Sequence, residues 1–231
     1  MTTILAILIM PMIFAVVISY SQLSILIKYN LKTSLFFFSG FVAYFLIHFN
    51  KSTSRFINYI YVFSHEITHT IFAIFSGNRV KKIKISSRNG YVSFEGKTNI
   101  VTAISPYIFP FYNIITAIIY LIARKYYSGD ISNIFILAQG FFLSFHIINT
   151  IDAISLNQKD FKEGGGRFLS TVIIILFNLI FTAIIINVIV SKNNEIIYSF
   201  IKSCLNYYVM IIKNIFYRIA ILFAKIKNIM L

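Results

Sequence analysis

The sequence predicts an all-helical membrane protein with about six transmembrane helices, one small β-hairpin and a C-terminal amphipathic helix. Of its 231 residues, 58% are hydrophobic and only 12% are charged. A soluble domain cannot cover that much apolar surface with so few polar groups. The apolar residues also gather into long runs, and each crossing of a hydrocarbon core takes roughly 20 residues. The spans therefore use most of the chain and leave little for a separate soluble domain.

Charged and polar residues separate the apolar runs and so set the predicted spans. These lie at about residues 4–20, 35–49, 56–75, 100–123, 131–148 and 168–190. The second run is short for a full crossing, and Pro106 and Pro110 are expected to kink the fourth. The first run lacks the basic residues and the small-residue cleavage site of a secretory signal, so we interpret it as a membrane segment.

Between the third and fourth spans the hydrophobic period changes from helical to strand-like. Residues 80–86 and 91–95 each alternate between apolar and polar side chains, and Arg88, Asn89 and Gly90 stand between them. Alternation indicates strands, and an Asn-Gly pair supplies the positive backbone dihedrals of a tight turn. The segment therefore predicts a β-hairpin that turns at these three residues.

The last 36 residues show the pattern of one long amphipathic helix. In residues 196–231 apolar side chains recur every three or four positions, from Ile201 to Met230, and Lys202, Lys213 and Arg218 fall on the other half of the helix. This pattern favours a helix that lies in the lipid interface, with a seventh span as the alternative. We therefore divide the chain into a membrane domain, residues 1–195, and an interfacial helix, residues 196–231.

The charge of the chain points to a lipid partner. Its formal net charge is +14, and the basic residues lie between apolar runs instead of forming a groove with interleaved aromatic residues. We expect contact with anionic lipid, no nucleic-acid partner, and residence in the plasma membrane. The basic residues also concentrate on the loops that share a side with the hairpin, which predicts that the hairpin and the loop holding Asp160 face the cytoplasm. The only cysteine, Cys204, excludes an intramolecular disulfide and a cysteine-based zinc site.

One motif within the third predicted span carries chemistry. It reads His65, Glu66, Ile67, Thr68, His69. On a helix the two imidazoles lie on one face, close enough to bind one zinc ion, and the glutamate lies beside the metal where it can deprotonate water. The alternative is a pair of buried histidines bonded to backbone. Three ionisable side chains within a membrane helix are costly to bury, so function is the better explanation.

A catalytic zinc site usually has three protein ligands, so a third must come from elsewhere in the chain. The candidates are His48, Asp130, His146, Asp152, Asp160 and Glu163. With six spans, the end of the motif helix and the end of the fifth span lie at the same membrane face. His48 and Asp130 fall at the opposite face. We favour Asp160, because it leads into the run Gly164 to Gly166, where backbone can approach a metal or substrate closely. Asp152 and His146 stay open, His146 chiefly as a proton relay or a bonded core histidine.

The run from Phe63 to Ala73, with Gly77 and the hairpin after it, resembles the peptidase M50 group, the site-2-protease-like intramembrane zinc metalloproteases. The resemblance is specific over residues 61–95 and looser over residues 140–178. It implies a zinc endopeptidase whose motif sits in a membrane helix, whose third ligand is an aspartate from a later segment, and whose substrates are membrane proteins. With Asp160 taken as that aspartate, His65, His69 and Asp160 are expected to bind one zinc ion, and Glu66 is expected to be general base and then general acid.

Two other functions are compatible with the same sequence. The first is a catalytically silent membrane protein that keeps the histidines for metal or structure and acts by binding a partner. The second is a transporter with a histidine relay, which the spacing disfavours because a relay does not need two histidines four residues apart. Zinc binding and cleavage separate these three functions.

Overall fold

The computed structural model describes residues 2–49, 54–87, 89–127, 129–156, 158–190 and 194–230. Within these ranges the chain is mostly helical, with one two-stranded antiparallel sheet. In chain order the elements are α1 (Thr2–Tyr29), α2 (Leu31–His48), α3 (Ser54–Phe75), β1 (Arg79–Ile85), β2 (Gly90–Glu95), α4 (Ile100–Ile108), α5 (Phe111–Tyr126), α6 (Ser132–Ser155), α7 (Lys159–Glu163), α8 (Arg167–Val190) and α9 (Asn194–Met230).

Four helices of the described chain, α1, α2, α6 and α8, are long and apolar enough to cross a membrane. Large apolar side chains such as Ile4, Leu8 and Phe14 of α1 are more than half exposed, as expected for a surface that faces lipid. Helices α4 and α5 are together also long and apolar enough to cross, so the described chain has up to five candidate crossings. Each of the six predicted spans falls on helical chain, but α3 is not among the candidates for crossing. The count of six therefore stays a prediction.

The expected kink in the fourth span occurs at Pro110. Helices α4 and α5 meet there at an angle of 65°. The ring of a proline disfavours the helical conformation at the residue before it, and Phe109 is accordingly extended, with φ −90° and ψ 110°. Pro106 lies inside α4 without ending it. The bend makes this pair a broken span or a re-entrant segment.

Helices α2 and α6 pack closely and run in the same direction. They cross where Gly40 contacts the backbone of Leu137 and Gly140 contacts the backbone of Phe37, so neither position has room for a side chain. One turn further along both helices, the ring of Tyr44 packs against that of Phe145, and one turn beyond that His48 contacts Asp152. Their Nε2 and Oδ2 atoms are 3.3 Å apart.

This parallel packing corrects one expectation from the sequence. Counting six regular crossings placed His48 at the opposite membrane face from Asp152, and the structure places the two side chains together. The physical reason is that side assignment by counting assumes that every apolar run crosses once. Two crossings that run in the same direction must be separated by an odd number of crossings, whereas six regular crossings put two between α2 and α6. The segments between them are α3, which is not among the candidate crossings of the described chain, and the broken pair α4 and α5.

The β-hairpin forms as predicted, but its turn differs. β1 and β2 pair antiparallel from Arg79 opposite Glu95 to Ile85 opposite Gly90. Ser86 closes the connection by donating from its hydroxyl to the carbonyl of Asn89, at 2.7 Å. Gly90 is the first residue of β2 and does not have a positive φ, so the expectation of positive dihedrals at the Asn-Gly pair is wrong for Gly90. Arg88, the third residue of the predicted turn, lies outside the described residues.

Helix α9 is continuous over 37 residues. Its first turns pack on α1, where Phe200 and Cys204 are buried in the same cluster as Val16 and Leu23. Gln22 of α1 also donates from its side chain to the hydroxyl of Ser203, at 2.9 Å. The start of the predicted interfacial helix is thus held by the membrane domain, and Cys204 has the role of a small buried residue.

Candidate metal centre

Helix α3 brings the two motif histidines together. Because a helix turns once in 3.6 residues, side chains four residues apart lie one above the other. His65 and His69 follow this geometry, with their Nε2 atoms 3.1 Å apart and their ring centroids 4.7 Å apart. Both side chains are largely buried. The motif therefore presents two imidazole nitrogens at one point.

Asp160, on the short helix α7, reaches the same point from a distant part of the sequence. Its Oδ2 atom lies 3.4 Å from Nε2 of His65 and 3.5 Å from Nε2 of His69. Among the residues that the structure describes, these three form a group whose ligand atoms could hold one metal ion. Of the candidates for a third ligand, the structure thus brings Asp160 to the motif.

The other candidates lie elsewhere. Asp152 contacts His48 and is half exposed. Asp130 accepts a hydrogen bond from the backbone N–H of Ser132, at 2.9 Å, at the start of α6. Glu163 lines the cavity in front of the histidines without joining the cluster. His146 lies behind the motif, where it lines a second cavity.

The spacing of the three ligand atoms fits zinc. Zinc bonds to imidazole nitrogen and carboxylate oxygen are about 2.0–2.2 Å long, and in a tetrahedral site such bonds separate neighbouring ligand atoms by about 3.3 Å. The observed separations are 3.1, 3.4 and 3.5 Å. The donor set, two neutral imidazoles and one carboxylate, is also one that catalytic zinc sites use.

Two further residues orient this cluster, and neither was found from the sequence. Nδ1 of His69 lies 2.9 Å from the carbonyl oxygen of Thr102 on α4, which fixes the ring with Nε2 toward Asp160. Tyr107, also on α4, donates from its hydroxyl to Oδ2 of Asp160, at 2.7 Å. A threonine carbonyl and a lone tyrosine carry no spacing signal, so only the three-dimensional packing reveals them.

The same contacts determine the charge of Asp160. Burial raises the pKa of its carboxyl, but hydrogen bonds from His65, His69 and Tyr107 outweigh burial and hold that pKa well below its usual range. Asp160 is therefore a carboxylate, which is the form that binds a metal ion.

Helix α7 is fixed by packing and by the glycine run after it. Phe161 is fully buried against Tyr107, and the hydroxyl of Ser170 on α8 donates to the carbonyl of Phe161 at 3.1 Å. Gly165 and Gly166 have φ of 94° and 104°, a region that favours glycine. The glycines turn the chain into α8. Gly164 and Gly165 lie against side chains of α4 and α8, and the approach of this run to a metal or substrate stays a prediction.

Glu66 is buried beside the cluster of His65, His69 and Asp160 and is covered by the hairpin. Its side chain is only 6% exposed. A Cβ atom on Gly90 would lie 2.6 Å from Cγ and 2.7 Å from Oε1 of Glu66, so the backbone of β2 rests directly on this carboxylate. A side chain at this position would displace Glu66, so the close approach to Glu66, and not the turn, accounts for the glycine.

A cavity of about 380 Å³ opens in front of the cluster. Its walls are the motif face of α3, strand β2 and helix α7, and they include Glu66 and the side chains of His65, His69 and Asp160. The arrangement therefore has a group that could hold a metal ion, an adjacent carboxylate and space for a bound segment of chain.

Comparison with known proteins agrees with this geometry. A model of the Peptidase M50B-like family matches residues 37–123, which contain the motif, the hairpin, α4 and most of α5. No curated protein and no solved structure matches the chain. The family match ends before Asp160, so the third member of the cluster rests on the structure. With the four apolar helices, the match points to an integral membrane protein and a protease of the site-2 type. The resemblance seen in the sequence is thus confirmed over residues 37–123, where the chain is similar to the site-2-protease-like M50 family.

Proposed function

We propose that the chain is an intramembrane zinc endopeptidase that cleaves membrane-embedded proteins. The observation that carries the proposal is the convergence of His65, His69 and Asp160 to within 3.5 Å of one another, with Glu66 lining the same cavity. The experiment that decides it compares the wild-type chain with a Glu66→Gln variant, measuring both zinc content and cleavage of a membrane protein expressed with it.

Each residue has a distinct role in this proposal. His65, His69 and Asp160 hold one zinc ion. Zinc in such a site supplies Lewis acidity, which polarises a carbonyl and makes water more acidic. Glu66 accepts a proton from the attacking water and later passes it to the leaving amine. Thr102 and Tyr107 keep His69 and Asp160 oriented.

Strand β2 offers a way to hold a substrate extended. The amides of a transmembrane helix are bonded internally, so a protease must first unwind the segment it cleaves. In the described part of the chain the sheet has only two strands, and Tyr91, Val92 and Phe94 of β2 line the cavity. An unwound substrate segment hydrogen-bonds to the backbone of β2 as a third strand. Its scissile bond then lies beside Glu66.

The contact between Gly90 and Glu66 gives a test of the hairpin's role. Gly90→Val places a side chain where Glu66 and Val62 already lie, so Glu66 or the start of β2 must move. We expect cleavage to fall on the order of 100-fold, since misplacing a catalytic group by about 1 Å has that effect, while zinc content is unchanged. Ser93→Val, on the exposed face of the same strand, is the control and is expected to keep activity. Full activity of Gly90→Val would show that β2 does not rest on Glu66 in the working enzyme.

We also propose that the protein resides in the plasma membrane, contacts anionic lipid, and has the hairpin and Asp160 in the cytoplasm.

The helix α9 carries exposed apolar residues such as Ile201 and Leu205 together with Lys202, Lys213 and Arg218. A peptide covering residues 196–231 is expected to become helical on anionic vesicles and to bind them more tightly than neutral ones, with salt weakening the binding. Circular dichroism and vesicle sedimentation measure this. Equal affinity for both kinds of vesicle would contradict the electrostatic contribution.

A further inference from the structure

A small cavity adjoins His65 on the side formed by α3 and α6. Its volume is about 20 Å³, and its walls include Tyr61, His65 and His146. Within the described chain, three buried polar atoms of these side chains have no hydrogen-bond partner: the hydroxyl of Tyr61, Nδ1 of His65 and Nε2 of His146. Buried polar groups in proteins are nearly always paired with protein or water. The three unpaired atoms belong to side chains that line one cavity, so a single partner placed there would pair all of them.

We propose that one buried water molecule occupies this cavity and joins the metal ligand His65 to His146 and Tyr61. A cavity holds a water molecule when it offers about 10–15 Å³ to the centre of a water-sized probe, and buried waters typically make about three hydrogen bonds. The volume here suits one water, and the number of unpaired atoms equals the number of bonds that it makes.

The donors and acceptors are complementary. His65 faces His69 and Asp160 with Nε2, so a neutral ring that binds metal through Nε2 carries its proton on Nδ1. That N–H donates to the water oxygen. Nε2 of His146 has no hydrogen-bond partner in the described chain, so it accepts from the water when that ring carries its proton on Nδ1. The Tyr61 hydroxyl can bond the water as donor or acceptor.

The water would do for His65 what Thr102 does for His69. Metal-binding histidines usually hydrogen-bond through their second nitrogen, which fixes the ring and its tautomer. His69 has the Thr102 carbonyl for this purpose, whereas His65 has only the cavity. His146 is thus a positioning residue that acts through the water. This part of the inference rests on the proposed function, because it takes His65 as a zinc ligand.

The first test is structural and does not depend on zinc. A high-resolution map of the full chain is expected to show one ordered oxygen within about 2.7–3.2 Å of Nδ1 of His65 and of Nε2 of His146. A dry cavity, or a direct bond between the two histidines, overturns the proposal.

The second test measures zinc affinity of the full chain by competition with a chelator. His146→Leu removes the acceptor and is expected to weaken zinc binding about tenfold, the lower end of the range for such supporting residues. His146→Gln keeps an oxygen acceptor near the position of Nε2 and is expected to restore most of the affinity. Tyr61→Phe, which preserves the ring and the fold, is expected to lose a few-fold.

Tyr112→Phe is the matched control. Tyr112 lines the same cavity, but its hydroxyl already donates to the carbonyl of Ile60 on α3, at 2.8 Å. Its loss is expected to leave zinc affinity within about twofold of wild type, unlike the loss of Tyr61. Wild-type affinity in both His146→Leu and Tyr61→Phe, or an equal loss in Tyr112→Phe, overturns the positioning role. A wild-type chain that binds no zinc overturns the proposed function instead, and the oxygen peak still decides whether the water exists.

Discussion

Replacing Glu66 with Gln is expected to abolish cleavage while one zinc ion per chain stays bound. Gln keeps the shape of Glu66 and fits under Gly90, but its amide cannot accept a proton from the attacking water. General-base catalysis contributes about 10²–10⁴ in rate, so cleavage should fall at least 100-fold. The ligand set does not include Glu66, so zinc content should not change. Immunoblotting of a co-expressed membrane substrate and metal analysis of the purified chain measure the two effects.

Glu163→Gln is the matched control for this experiment. Glu163 also lines the cavity, but it lies outside the metal-binding group and is exposed, so its loss is expected to keep cleavage near the wild-type rate. If Glu66→Gln cleaves as well as wild type, the protease proposal is wrong. A chain that binds zinc but never cleaves would instead support the silent binding protein.

The sequence predicted the parts of this protein that depend on local pattern. The spacing of His65 and His69, the alternation of the hairpin strands and the proline at the break of the fourth apolar run are all properties of a few neighbouring residues. Helical geometry then places the two imidazoles together without help from the rest of the fold. Asp160 was harder to predict, because it lies 91 residues beyond His69 in the sequence. Only the fold brings it to the motif.

What the sequence did not reveal depends on packing between distant elements. Counting crossings gave the wrong membrane face for His48, because α2 and α6 run parallel and cross at Gly40 and Gly140. The spacing of apolar residues does not show in which direction a helix runs. Gly90 was attributed to the turn because a glycine is compatible with several backbone roles, and only the position of Glu66 shows which one applies. Tyr107 offered no motif at all, because its role comes from a hydroxyl that meets Asp160 across the fold.

The second large expected effect is the loss of zinc when a proposed metal ligand is replaced. His65→Ala and His69→Ala are each expected to lose zinc and cleavage together, because two remaining protein ligands hold zinc poorly. We expect zinc affinity to fall at least 100-fold, beyond the 10–100-fold effect of supporting residues. Metal analysis and chelator competition of the purified full-length variants measure this.

Asp160→Asn and Asp152→Asn form a matched pair that tests the third ligand. Both replace a carboxylate by an amide of the same shape. Asp160 lies 3.4 and 3.5 Å from the two histidine nitrogens, so its substitution is expected to weaken zinc binding severely, as the histidine changes do. Asp152 is half exposed and contacts only His48 among the acids and histidines of the described chain, and loss of such an exposed pair is expected to cost at most about 1 kcal/mol of stability and no zinc. Zinc loss in Asp152→Asn with zinc retained in Asp160→Asn would reverse the ligand assignment, while the result for Glu66→Gln would still decide whether the chain is a protease.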